Sequence, residues 1–318
     1  MNPSTNLPAP LVSVVLCAHD PRRHHLQATL EGLRAQDLPR DRWELLLVDN
    51  RSAVPLASYV DLSWHPGARL LMEPELGLAR ARCCGYREAR GGLIVHSDDD
   101  NVLAADYLRI ALEIRQAHPE IGTFAGQVIP QFAVAPRNPL EQEAGSERRL
   151  ERDLWSNILD DNRTMPFGAG MCLRQEVVRA YLDQVDRDPR RLVLGRAGNR
   201  FLTGEDIDLN FVAVRAGYGT GLFRALSLVH FIPPERMNPE HVIRYRAGNA
   251  YSMVILHFLH FGQIKIERRS RAGATFFWLR VWTRMTPFER RREIAMHRAR
   301  REAVRDLRAW GWLQSPIP

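Results

Sequence analysis

The strongest constraint in this sequence is a pattern. Short apolar runs alternate with segments of helical spacing, and acidic residues stand where the runs end. Leu11–Cys17, Trp43–Val48, Arg69–Met72 and Gly92–Ser97 read as buried strands. Between the first two, Leu26, Leu30 and Leu33 recur at helical spacing, and Gly77–Ala89 reads as a second helix. Asp20-Pro21 offers the first helix an N-cap with proline at its first position. Such alternation predicts an α/β fold with a doubly wound, mostly parallel mixed sheet flanked by helices. Ligands of such sheets bind beyond the carboxyl ends of the strands, which is where Asp20, Asp49 and Asp98–Asp100 fall.

Past residue 120 the pattern loosens. Gly122–Val128, Phe167–Leu173 and Leu226–Phe231 read as strands, and Ile207–Ala216 as a helix stopped by Gly217. After Pro233-Pro234 the chain reads helical. Its longest stretch without Asp, Glu, Lys or Arg, Ala247–Ile264, carries Asn249, Ser252, His257, His260 and Gln263. That is too polar to span a bilayer, so a buried or interfacial helix is expected. Pro287 opens an Arg-rich helix ending near Trp310-Gly311.

Charge divides the chain. Of 318 residues 44 are basic and 37 acidic, a net charge of +7. Lys265–Pro318 holds 14 basic and 5 acidic residues, leaving a slightly acidic body. The single lysine, Lys265, excludes Schiff-base or phosphate-binding lysine chemistry elsewhere. Four cysteines, Cys17, Cys83, Cys84 and Cys172, show no C-x-x-C spacing, which argues against a zinc knuckle or redox pair. Met1–Pro10 is polar and Pro-rich, unlike a secretory leader, so a reducing, cytoplasmic setting is expected.

Two acidic clusters carry the candidate chemistry. Ser97-Asp98-Asp99-Asp100-Asn101 ends an apolar strand, and three adjacent carboxylates are most readily kept together by a cation. Hard oxygen ligands suit Mg2+ or Mn2+ bridging to substrate phosphates; the alternative is a solvated turn capping the next helix. The second cluster, Thr203-Gly-Glu-Asp-Ile-Asp208, precedes a helix. One of its carboxylates would serve as a general base, or the cluster simply favours the positive end of the helix dipole.

Taken in order, Val12–Asp20, Leu47–Ser52, Gly77–Gly85, Ser97–Asp100, Gly168–Met171 and Gly204-Glu205-Asp206 resemble the family 2 glycosyltransferases. These are inverting enzymes of the GT-A fold that use nucleotide-diphosphate sugars. The resemblance covers roughly residues 10–236 and implies a tail at 1–10, a GT-A domain at 11–236 and a helical Arg-rich extension at 237–318. It implies that Ala18, Asp20 and Asp49 contact the nucleoside and that Arg82 sits beside the donor. It places Asp98 near the ribose, Asp100 on an Mn2+ or Mg2+ ion, and Asp99 between them. Asp206 would be the base with Glu205 its neighbour, and Gly168, Ala169, Gly170 and Met171 would line the donor–acceptor junction. His230 and Arg236 resemble a His…Arg segment that reaches the metal or diphosphate, although a structural role suits His230 equally.

Three departures matter. Cys83 stands where the family often has Asn, Asp20 where its first motif usually ends in Asn, and no Gln-x-x-Arg-Trp occurs. The last favours transfer of one or a few sugars to a glycan, glycolipid or small-molecule acceptor over processive synthesis. A nucleotidyltransferase is disfavoured because the Gly-rich first loop and catalytic lysine are missing. Neither G-x-G-x-x-G nor G-x-x-x-x-G-K-[ST] follows the first strand. The rival outside enzymology is a nucleic-acid or membrane-surface binder using the basic tail, where Phe276–Trp282 brings aromatics together. The tail equally suits packing on the body or a dimer partner, or a solvated helix.

Overall fold

The computed structural model describes residues 9–143, 146–196, 201–264 and 271–313. Residues 1–8 of the expected N-terminal tail, and 265–270 and 314–318 of the basic extension, lie outside the described residues. In chain order the elements are β1 (Val12–Ala18), α1 (Arg23–Arg34), β2 (Trp43–Asp49), β3 (Ala68–Met72), α2 (Leu78–Glu88) and β4 (Leu93–Asp98). Then come β5 (Asn101–Leu103), α3 (Tyr107–Ala117), β6 (Ile121–Phe132), α4 (Pro139–Glu143), β7 (Leu154–Ser156) and β8 (Cys172–Arg174). The chain closes with α5 (Gln175–Arg187), α6 (Glu205–Arg215), β9 (Gly219–Ile232), α7 (Pro239–Phe261), α8 (Arg271–Arg284) and α9 (Pro287–Ala309).

One sheet runs β3-β2-β1-β4-β8-β6-β9-β5, with β7 also paired to β9. The first four strands are parallel, and β8 then turns antiparallel between β4 and β6. Every residue of β1 and β2 is buried, because helices cover both faces. Period two sorts their side chains. Val12, Val14, Leu16, Leu45 and Leu47 pack under Leu26 and Leu33 of α1 and Leu108 of α3. Val15, Cys17, Leu46 and Val48 meet Ala81, Cys83 and Tyr86 of α2, Val177 of α5 and Leu209 of α6. Cys83 is thus a core thiol, pushed up to about 12 by burial, where an amide had been the family's habit.

Four expectations shift. Asp20 caps no helix: its backbone is left-handed at φ 46°, its carboxylate accepts from Ala53 N at 2.7 Å, and α1 begins at Arg23. A short Asp side chain serves one set of amides or the other, and here the loop amide of Ala53 takes it. The strand expected at Phe167–Leu173 shrinks to β8, because Gly170 turns at φ 65° and Tyr107 Oη donates to its carbonyl at 2.5 Å. Leu226–Phe231 is the second half of the longer β9, whose first half opens on Gly219-Thr-Gly221 and so signals weakly. The helix expected from Ile207 starts at Glu205, which puts the second acidic cluster in the first turn of α6.

The C-terminal helices share a third core with α6. Phe211 of α6 packs with Tyr251, Val254 and Ile255 of α7 and Ala299, Ala303, Val304 and Leu307 of α9. Beneath it the fully buried Asp208 pairs with Arg191 and, at 2.6 Å, with Nε2 of His260. Asn238 caps α7 ahead of Pro239, and Thr286 with Glu289 forms a capping box on α9 ahead of Pro287. No described helix is long and apolar enough to cross a membrane.

Gly248 of α7 lies against the segment that leads into α6. A Cβ there would stand 1.9 Å from the Phe201 carbonyl oxygen. Gly248→Ala is therefore expected to cost about 1–3 kcal/mol through forced backbone displacement, read as a lowered urea midpoint. An unchanged midpoint would refute this packing.

Candidate active site

The site is built around one guanidinium. Helix α2 carries Arg82 into the interior, only 3 % exposed, between the end of β4 and the start of α6. Its Nη2 donates to Asp98 Oδ1 at 3.1 Å and its Nη1 to Glu205 Oε1 at 2.9 Å. The two acidic clusters, a hundred residues apart in sequence, are thereby joined. Burial alone would favour loss of its proton, but Asp98 and Glu205 outweigh it and hold Arg82 charged.

The 168–171 turn closes on this pair. A side chain at Gly168 would collide with Arg82 Nη2 at 2.8 Å, so the backbone itself packs against the guanidinium. Gly168 N donates to Asp206 Oδ2 at 3.0 Å and Ile207 N to Asp206 Oδ1 at 2.9 Å. The residue as a whole stays half-buried. Ala169 is half-buried, Gly170 and Met171 are buried, and Met171 O accepts from His96 N at 2.8 Å. Burial, then the neighbouring Asp206, pushes Glu205 up to about 7. Burial also raises Asp206, against the opposing charge of Arg82 and the amide hydrogen bonds.

At the β4 end Asp100 is the most firmly held of the triplet. Its Oδ1 accepts from Asn101 Nδ2 at 2.7 Å and its Oδ2 from Arg236 Nη2 at 2.8 Å, while His230 Nε2 stands 3.6 Å from Oδ2. Arg236 Nη1 also donates to His230 Nε2 at 2.8 Å. Burial works against ionisation, yet His230 and Arg236 hold the Asp100 carboxyl well below the usual carboxylate range. The register of β5 on β9 sets this group, since Asn101 pairs with His230. Among the described residues Asp99 has no such partner. Burial and the flanking Asp100 and Asp98 push it up to about 8.

The ends of β1 and β2 shape the remaining rim. Ala18 O accepts from Asn50 N at 2.8 Å. Asp49 is fully buried, its two oxygens accepting from Ser52 N and Leu56 N at 2.9 Å each, so it holds the loop it begins. Asp20 N donates to Ser52 Oγ at 3.1 Å on the exposed side of that loop. Sequence reasoning passed over Asn50, which ties the loop to α2 through Gly77 N, Glu73 O and Glu75 O. It also missed Tyr59, with the Arg23 guanidinium 4.4 Å from its ring centre. Asn50 stands inside the Leu47–Ser52 motif, directly after Asp49 at a strand end, whereas Tyr59 stands in none.

With this geometry in place the comparisons can be read. A model described as "Glycosyl transferase family 2" matches residues 13–182, a stretch that includes Asp20, Asp49, Arg82 and Asp98–Asp100. The chain belongs to glycosyl transferase family 2. An N-acetylglucosaminyltransferase of Bradyrhizobium diazoefficiens is 25% identical over 223 residues, 66% of this chain and 43% of that protein. An N-acetylglucosaminyltransferase of Rhizobium sp. is 24% identical over 243 residues, 72% of this chain and 50% of that one. The chain thus spans about half the length of the curated relatives it matches. Among solved structures, the mannosyltransferase PcManGT of Pyrobaculum calidifontis, in complex with GDP-Man and Mn2+, superposes with a TM-score of 0.52. It is 19% identical, over 97% of this chain and 77% of that one. S. aureus TarS 1-349 in complex with UDP-GlcNAc follows at a TM-score of 0.51 and 13% identity, over 93% and 83% of the two chains. The fold is GT-A.

This family 2 chain offers a divalent cation few fixed ligands. Among the described residues no three His, Cys, Asp or Glu side chains converge on one point. The donor set instead fits a hard cation held by one or two carboxylates and by substrate oxygens. Among the described residues Asp99 is the carboxylate of the triplet without a hydrogen-bond partner, and a cation would offset the burial and the repulsion from Asp100 and Asp98 that raise it.

Removing the central guanidinium leaves buried Glu205 without its partner. Arg82→Met is expected to lower the unfolding free energy at pH 8 by roughly 3–5 kcal/mol. At pH 5.5, below its raised value near 7, Glu205 is protonated in the folded protein and the loss should shrink. Urea denaturation at both pH values checks this; an equal loss at both would refute it.

Proposed function

We propose that this protein is an inverting glycosyltransferase that moves a sugar from a nucleoside-diphosphate sugar to an acceptor hydroxyl in one displacement. The observation that carries the reading is the Arg82 bridge, which joins Glu205, the neighbour of half-buried Asp206, to Asp98 at the acidic end of β4. Donor-bound neighbours of the same fold support the class of donor.

In this reading the nucleoside lies over the ends of β1 and β2, near Ala18 and Asp20, in the loop that Asp49 holds, with Asp98 towards the ribose. Asp99 and Asp100, with His230 at hand, would hold Mn2+ or Mg2+ together with the donor diphosphate. When bound, such a cation neutralises the charge that develops on the departing diphosphate. Arg236, already on Asp100, is placed to meet phosphate oxygens. Asp206 accepts the proton of the acceptor hydroxyl, and that oxygen attacks the anomeric carbon from the Gly168–Met171 side. The bond to the diphosphate breaks and the diphosphate leaves with the electron pair, inverting the centre. Glu205, buried on Arg82, positions its neighbour and does not touch the acceptor.

General-base assistance is worth about 10²–10⁴-fold, so Asp206→Asn should lower kcat by that factor while nucleotide binding stays near normal. Near-normal turnover would refute the base. Because Asp206 must be ionised and is raised by burial, kcat should climb with pH through a limb above the ordinary carboxylate range. A limb at or below the ordinary range would refute that assignment. EDTA should abolish the nucleotide-induced rise in Tm, and Asp100→Ala should blunt it, if the β4 end carries the cation.

We also propose that residues 11–236 form the transferase unit, with α7 packed against it, and that α8 and α9 attach it to an anionic membrane surface facing the cytoplasm. Helix α8 exposes Phe276 (71 %), Leu279 (58 %) and Trp282 (59 %), and α9 exposes Arg298, Arg301, Arg305 and Arg308 along one face. Such arginines contribute about 1 kcal/mol each near an anionic surface. Co-sedimentation with phosphatidylglycerol vesicles, absent with phosphatidylcholine alone, is the expected result. Equal binding to both, or to neither, would count against it.

A further inference from the structure

A cavity lies where the end of β9, the loop after α4 and the first turns of α7 meet. Arg196, His230, Arg236, His241, Tyr245 and Arg246 line it, and Glu143 is its carboxylate. That carboxylate is committed to Arg246 Nη2 at 3.0 Å, and Arg236 is committed to Asp100. Arg196 makes no ion pair among the described residues; its guanidinium stands 6.0 Å from the Phe201 ring centre. Three guanidinium groups and two imidazoles thus face one carboxylate. The positive field is felt by His241, which burial and then Arg236, Arg196 and Arg244 push down to about 4.

The cavity opens beside the β4 end, and the α7 face that walls it runs on toward the segment before Asp206. Its β4 limit is His230 and Arg236, the partners of Asp100. The run of the α7 face follows from helix periodicity. His241, Tyr245, Asn249 and Ser252 fall on one face of α7. Asn249 Oδ1 accepts from Thr203 Oγ1 at 3.1 Å and Ser252 Oγ from Thr203 N at 3.0 Å, three residues before Asp206. Tyr245 precedes them on that face, and Asp206 is the first charge to act on its hydroxyl after burial.

We propose that this cavity binds a phosphate group carried by the acceptor, anchoring it so that its hydroxyl lies at Asp206. The inference rests on the glycosyltransferase reading and adds to it the class of acceptor, an anionic one. Guanidinium forks are matched to phosphate oxygens, and the acidic donor end beside them would repel an anion that lacked such a cradle. Donor diphosphate is the other source of the same chemistry, and the two are separable.

Inorganic phosphate is the probe, titrated calorimetrically at constant ionic strength into protein alone and into protein saturated with UDP or GDP. Phosphate is expected to bind in both states. Arg196→Gln and Arg246→Gln, each on an exposed or half-buried side chain and each verified as folded by circular dichroism, should weaken it at least tenfold. Nucleotide affinity should change less than twofold in both variants. The proposal is overturned if nucleotide displaces phosphate, if the variants weaken nucleotide tenfold, or if phosphate binding is absent or indifferent to both substitutions. Failure of UDP and GDP alike to bind would instead sink the glycosyltransferase reading. The nucleotide-free titration then still decides whether the cavity takes phosphate.

Discussion

The structure depends on the Arg82 guanidinium being buried and doubly paired. A buried charge is tolerated when its hydrogen bonds are made with opposite charge, and breaking such a set leaves an uncompensated ion in a low dielectric. Arg82 therefore holds three separate chain segments at fixed distance: the end of β4 through Asp98, the start of α6 through Glu205, and the 168–171 turn, which packs on it with no side chain between. The carboxylate proposed as the base, Asp206, is oriented by that turn through Gly168 N. Positioning and charge come from the same contact.

The helices after residue 237 are part of this arrangement. Asp208, two residues beyond Asp206, is fully buried on Arg191 and on His260 of α7, and Thr203 is held by Asn249 and Ser252 of the same helix. The segment that carries Asp206 is thus clamped from α7, and α7 in turn shares its apolar face with α9. Change in the last third of the chain reaches the base through these contacts, over a distance that sequence separation conceals.

Much was legible because the local signals were strong. β1, β2 and β4 are buried on both faces, so their sequences are mostly apolar, and β2 and β4 stop abruptly at Asp49 and Asp98. The helix start at Pro287 and the stop at Gly217 are local chemistry as well. What misled was competition. Asp20-Pro21 has the composition of an N-cap, but the Asp20 carboxylate binds a loop amide thirty-three residues away. The apolar stretch around Met171 looked like a strand, but Gly170 adopts a left-handed turn that Tyr107 stabilises from α3. Long-range partners decide such cases, and no window of sequence contains them.

By itself the sequence determined the fold class, the strand ends at which the acids gather, and the two clusters that carry the chemistry. Periodicity, caps and breaker residues are properties of neighbours along the chain, and they act before any tertiary contact forms. Only the tertiary structure decided that Arg82 joins those clusters, that Asp49 spends both oxygens on its own loop, and that Asp100 is held by Arg236. It alone brought the arginines of β9's far end, α7 and the loop before α6 around one cavity. The physical reason is that charge pairing and burial depend on distance in space, which the folded sheet sets and the order of residues does not.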